Sequence, residues 1–132
     1  MKIRLAESEA LEMLRNAEAV GDVKIVVKSL PNLPVDGLKR IASTMTRYDS
    51  SAIVMLASVD EQGYLVGAAG QTALNRGIDM GRILKEVAEH SGGRGGGVAK
   101  IAQAGGIPAQ HIQRALDEGV QRINEVLQQK SK

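Results

Sequence analysis

The 132-residue chain has no cysteine, no phenylalanine and no tryptophan, and its only aromatic residues besides two histidines are Tyr48 and Tyr64. Without cysteine there is no disulfide and no thiolate-ligated zinc, a pattern that suits a reducing compartment. Without large aromatic rings the core has to be assembled from Leu, Ile, Val, Ala and Met, whose smaller side chains let helices and sheets approach closely. The same scarcity argues against a nucleic-acid binder that stacks several bases on exposed rings. Charge of one sign is also scarce, since 17 Lys and Arg stand against 15 Asp and Glu, for a formal net charge of +2. That balance allows a local basic patch but not the pervasive positive field of a chromatin protein. No apolar run approaches the roughly 18 residues of a membrane helix. The N-terminus alternates charged and apolar residues, unlike a secretory signal. We expect a soluble cytoplasmic domain with no membrane partner.

Apolar residues make up 43% of the chain, enough for a real core in what its length marks as a single domain, residues 1–132. Residues 2–20 predict a helix, with Leu5, Ala10, Leu11, Leu14 and Ala17 near helical spacing. This helix, 1–20, is expected to continue an upstream helical region, and 21–132 to be globular. Gly21-Asp22 stops the helix, and the β-branched run at 23–30 reads as a strand. Val35, Leu38, Ile41, Ala42, Met45 and Tyr48 form one apolar stripe of a second helix, with Lys39, Arg40 and Arg47 off it. The continuous apolar run at 52–57 suits a strand buried on both faces, returning antiparallel at 64–69 after a turn at 60–63. A further helix follows Asp79, its expected N-cap, with Met80, Ile83, Leu84, Val87 and Ala88 facing inward. A last helix follows Pro108, a residue tolerated in a first turn, and runs through Ile112, Ala115, Leu116, Gly119, Val120, Ile123 and Leu127. The order predicts an α/β fold, a mixed β-sheet with helices packed on it.

The segment 91–106, SGGRGGGVAKIAQAGG, breaks the pattern. Five of the six residues Gly92-Gly93-Arg94-Gly95-Gly96-Gly97 are glycine, which is entropically unfavourable unless positive φ angles or close backbone approach require it. We expect a loop, with some β character, whose successive amides make a concave anion site. Arg94 would add a phosphate-matching donor fork, and Lys100 and Gln103 would stand near, flanked by Arg76 and Arg82. A flexible linker is the competing reading. It is disfavoured because the run is short, contains Arg and lies inside the domain. The run is neither a P-loop, which ends in Gly-Lys-Ser/Thr, nor a dinucleotide fingerprint, which follows a strand.

GGRGGG at 92–97 followed by AQAGG at 102–106 and a helix resembles the signature of the DHH-associated domain, found at the C-terminus of alanyl-tRNA synthetases and in DHH-family phosphoesterases. The strand at 52–57 with Ser58, the hairpin to 64–69 and Gly77-Ile78-Asp79-Met80-Gly81 stand in the order of that family, so the resemblance spans about residues 5–130. Phosphoesterases typically place His after the glycines. This chain has Val98 there, and its AQAGG leans to the synthetase branch. Val98, where synthetases usually carry a basic residue, and Lys100-Ile101 in place of Asp-Met depart from the pattern. The resemblance implies a domain that contacts the outer corner of tRNA, expected to be the alanine tRNA, and brings it to the catalytic and editing domains of a parent chain. The expected contacts are Gly92, Gly93, Arg94, Gly95, Gly96, Gly97, Lys100 and Gln103.

Catalytic chemistry is not expected. His90 and His111 have no partner at metal-ligand spacing, and His90 at a helix end suits the dipole. Glu7, Glu9, Glu12, Glu18, Asp117, Glu118 and Glu125 read as solvated helix faces. No catalytic residue, metal or cofactor is predicted. Two other functions are weighed: the substrate-holding half of a phosphoesterase, disfavoured by the missing His, and an interaction module in which the first helix supports a weak homodimer.

Overall fold

The computed structural model describes the backbone of residues 2–130 and the side chains of residues 8–128. In chain order the elements are α1 (Lys2–Arg15), β1 (Glu18–Val20), β2 (Val23–Ser29), α2 (Val35–Tyr48), β3 (Ala52–Val59), β4 (Gly63–Ala69), α3 (Gln71–Asn75), α4 (Met80–Ser91), β5 (Arg94–Gly97), β6 (Ile101–Ile107) and α5 (Ile112–Lys130), with a 3-10 turn at Ala109–His111. The strands form one mixed sheet in the order β1-β2-β3-β4-β6-β5. Only β2 and β3 pair in parallel, joined through α2; every other neighbouring pair is antiparallel.

Two apolar layers sandwich the sheet. Because side chains alternate across a strand, β3 feeds both. Ile53, Met55 and Ala57 join the layer built with α4 and α5, and Ala52, Val54 and Leu56 join the one built with α1 and α2. All six are fully buried, as the unbroken apolar run predicts. Burying a side chain the size of Leu56 or Ile53 stabilises the fold by roughly 1.5–3 kcal/mol. Small residues set the spacing between layers. Gly119 of α5 sits so close to β3 that a Cβ there would lie 2.3 Å from the Met55 methyl carbon.

The boundaries of α2, β3, β4 and α4 agree closely with the sequence expectation, and the Asp79 carboxylate caps α4 by accepting from the Arg82 amide at 3.1 Å. The structure departs from the sequence expectation at four places. The first helix stops at Arg15 rather than running to residue 20, because Glu18–Val20 pairs with β2 as a short edge strand. Gly21-Asp22 is then a two-residue hairpin turn, with Gly21 at φ +64° as such turns favour. Tyr48, placed on the apolar stripe of α2, is 73% exposed, since the helix ends there and turns away at Asp49. Gln71–Asn75 forms a short helix that the composition did not announce. The side chains of Leu5 and Glu7 lie outside the described residues.

Candidate nucleic-acid interface

The glycine-rich segment is a strand hairpin, not the concave loop its composition suggests. Gly92 closes α4 in the left-handed conformation at φ +91°, its amide donating to the Ala88 carbonyl. The chain passes Gly93 into β5, turns at 98–100 with the Val98 amide bonded to the Ile101 carbonyl, and returns as β6. The physical reason for the glycines is close approach. A Cβ on Gly97 would lie 2.7 Å from both the Ala102 Cα and the Ile101 carbonyl oxygen, and one on Gly81 would lie 2.5 Å from the Gly97 oxygen. The start of α4 therefore rests on β5 backbone to backbone, and the Met80 amide donates to the Ala99 carbonyl at 3.1 Å. Gly97 also has φ +153°, which side chains other than glycine's resist.

The hairpin lies at the rim of the sheet, with β5 as the terminal strand. An edge strand presents unpaired N–H and C=O groups, and glycine leaves them uncovered by side chains. Directly opposed residues of an antiparallel pair share a face. The register Arg94↔Gly105 and Gly96↔Gln103 therefore places Arg94, Gly96, Gln103 and Gly105 together. Ala102 and Ala104 point the other way, into the α4–α5 core. Arg94, Gln103 and Lys100 are exposed, and none of their side chains makes a hydrogen bond or ion pair within the described residues. Of the predicted residues the structure thus brings Arg94, Gly96 and Gln103 onto one face, with Lys100 in the adjoining turn. Gly95 and Gly97 serve the opposite, packed face, and Gly92 and Gly93 form the approach from α4. Arg76 and Arg82, expected to flank the site, are engaged elsewhere. Arg76 pairs with Asp22, and Arg82 with Glu86 at 3.1 Å.

A second polar cluster was hidden in the sequence. Arg122 of α5 bonds Glu118 at 2.8 Å and reaches across to Glu86 of α4 at 2.5 Å, and His90 Nδ1 lies 2.8 Å from Glu118. Burial would raise the Glu118 carboxyl, but the bonds from His90 and Arg122 outweigh it and hold it below its ordinary value. The bond from Arg82, against some burial and with Arg122 added, holds Glu86 down as well. The bond to Glu118 holds the Arg122 guanidinium above its ordinary value. Glu118 is therefore a tie between α4 and α5 rather than a solvated residue. Only its i,i+4 relation to Arg122 was visible beforehand. His111 sits in the 3-10 turn, its Nδ1 3.2 Å from the Ser91 carbonyl oxygen. No group of three or more His, Asp or Glu placed to hold a metal ion occurs among the described residues. None of the described helices is long and apolar enough to cross a membrane.

The family described as the DHHA1 domain matches residues 22–129. The alanine–tRNA ligase of Alkaliphilus oremlandii is 35% identical over 118 residues, covering 89% of this chain and 13% of that protein. That of Methanococcoides burtonii is 31% identical over 127 residues, covering 96% of this chain and 14% of that protein. The chain thus spans about one seventh of the length of these relatives. Among solved structures, the C-Ala domain from Aquifex aeolicus alanyl-tRNA synthetase superposes with a TM-score of 0.70 at 22% identity, covering 84% of this chain and 96% of that one. With its hairpin, register and layers in place, and the match running from β1–β2 to the end of α5, the chain belongs to the DHHA1 domain family.

Proposed function

We propose that this chain is a tRNA-binding domain without catalytic chemistry of its own. In this reading it belongs to a longer cytoplasmic alanine–tRNA ligase, whose catalytic and editing domains are its partners. It contacts the outer corner of tRNA, expected to be the alanine tRNA, with the exposed face of the β5–β6 hairpin. The observation that carries the reading is the group of unpaired donors, Arg94, Lys100 and Gln103, on or beside a strand whose glycines leave its backbone open. Such a surface suits phosphates and ribose hydroxyls, which position an RNA by shape without reading its sequence. With a net charge of +2, affinity should rest on a few phosphate contacts and weaken as salt rises. Folded tRNA should bind better than an unfolded strand of equal length, because stacking surfaces are few.

The test is a set of titrations of an alanine tRNA transcript at several salt concentrations. Arg94→Ala should weaken binding and make the slope of log K against log salt shallower by about 1, the loss of one phosphate contact. Lys100→Ala should act in the same direction. Arg15→Ala, at an exposed position of α1, should do little. Wild-type binding by Arg94→Ala at every salt would remove the hairpin as the RNA surface.

A further inference from the structure

One row of residues crosses the open end of the sheet. Ser58 of β3 faces Tyr64 of β4, and Gly105 of β6 faces Arg94 of β5. Between the pairs Gly63↔Ile107 and Leu65↔Ala104 the register slips, so Tyr64 stands against Gly105 and Gly106. Tyr64 precedes Val66 by two, and Val66 is paired with Gln103. Its ring therefore lies on the same face as Gln103 and Arg94. With strands about 4.8 Å apart, the Tyr64 and Arg94 backbones are about 10 Å apart, with Gly105 between them.

Gly105 differs from its neighbours in the run. A Cβ there would meet nothing within 4 Å, and its φ is not in the positive range, whereas Gly95 and Gly97 are crowded by β6. Neither packing nor backbone conformation requires glycine at 105, and a strand interior disfavours it. Without a side chain, Gly105 leaves the strand surface between the Arg94 and Tyr64 positions uncovered, a shallow trough across β6. The Tyr64 hydroxyl donates to the Asp60 carboxylate at 3.3 Å, which steadies the ring. The ring also borders a cavity of about 320 Å³ with Pro34 and Ser58. Asp60 and Glu61 make that end of the trough unfavourable for a phosphate, and the unpaired Arg94 makes the other end favourable.

We propose that this trough receives a single nucleotide of a bound RNA, its phosphate on Arg94, its sugar over Gly105 and its base against the Tyr64 ring. The proposal rests on the RNA-binding reading above and adds to it a stacking residue and a reason for Gly105.

The test uses the 132-residue chain, an alanine tRNA transcript and 3-fluorotyrosine incorporation, which gives two fluorine signals, from Tyr48 and Tyr64. The Tyr64 signal should shift on saturation with tRNA. Tyr64→Ala should weaken binding by roughly 5- to 150-fold, the value of one stacked base, with the salt slope kept because the ring holds no phosphate. Tyr64→Phe should bind like wild type. Gly105→Val, which suits a strand, should melt at or above the wild-type temperature yet bind tRNA more weakly. An unmoved Tyr64 signal in the saturated complex, or wild-type affinity in Gly105→Val, overturns the proposal. If Arg94→Ala still flattens the salt slope in that event, the hairpin remains the RNA surface and only the trough falls. If Arg94→Ala is neutral too, both readings fall.

Discussion

Replacing Gly97 by alanine should be one of the most damaging single-methyl additions this fold can receive. Two separate costs combine. The φ of +153° at Gly97 is unfavourable for a residue with a Cβ, costing about 1–3 kcal/mol. The new methyl would also meet the Ala102 Cα and Ile101 oxygen at 2.7 Å. These are backbone atoms that cannot turn aside, and overpacking of that kind costs about 1–3 kcal/mol more. The sum, about 2–6 kcal/mol, is a large part of the 5–15 kcal/mol that typically holds a domain together. Gly96 has φ +157° but open space around its Cβ position, so Gly96→Ala should bear the conformational cost alone, about 1–3 kcal/mol. Gly105→Ala has neither problem and should be neutral, or more stable by up to about 1 kcal/mol through a less flexible unfolded chain. Urea denaturation resolves the series. At a slope near 2 kcal/mol/M the Gly97→Ala midpoint should drop by roughly 1–3 M. Gly81→Ala presses on the same contact from the α4 side, at 2.5 Å from the Gly97 oxygen, so the double variant should be less destabilised than the two losses added together. If Gly97→Ala unfolds within about 0.5 kcal/mol of Gly105→Ala, below the usual scatter of additivity, β5 is not seated on α4 and β6 as described.

Acid should weaken the α4–α5 tie. The Glu86 and Glu118 carboxyls are held below their ordinary value of 4.5 in the folded chain, so the unfolded chain takes up protons first as pH falls. Their stabilisation is complete above that value and is lost as pH falls through the lowered folded values. Arg122→Ala should lower the melting temperature by about 2–5 °C at pH 7, with the difference shrinking in melts below the ordinary carboxylate value. A constant difference down to strong acid would mean the arginine acts through its hydrocarbon stem. Leu38→Ala, at a fully buried position of α2, should cost about 2–5 kcal/mol by leaving a cavity. At temperatures where it stays folded, tRNA titrations should show an unchanged salt slope.

Legibility in the sequence followed the reach of the interactions. The stripe of α2, the doubly buried β3 and the Asp79 cap are decided by neighbours within a few positions, and each was readable. The Glu18–Val20 strand was not, because three residues with a single inward valine carry no period. Its conformation comes from pairing with β2. The glycine run showed that something unusual happens at 92–97 but not what. Positive φ and close approach both call for glycine, and only the presence of Gly81 against the Gly97 oxygen and Ala102 against its Cα decides between a phosphate-cupping loop and a tightly seated strand. Arg94, Lys100 and Gln103 could be named as candidate contacts from the run itself, but only the fold leaves their side chains exposed and unpaired. That Arg94 shares a row with Tyr64, thirty positions earlier, depends on the β6 register and its slip at Gly105–Gly106, which no local pattern encodes.

Seating β5 on α4 through main-chain atoms also determines how the molecule can drift. Where two elements meet through leucine and isoleucine, each core exchange changes their spacing by tenths of an ångström, and whatever surface they carry moves with them. Here the spacing between the Gly81 Cα and the Gly97 carbonyl is fixed by atoms that every residue possesses, so turnover of aliphatic residues in either layer leaves the hairpin's place on the helix nearly unaltered. The interior is then free to vary in composition while the rim keeps its geometry, and the burden of staying unchanged passes to a handful of residues that have no side chain to mutate gradually.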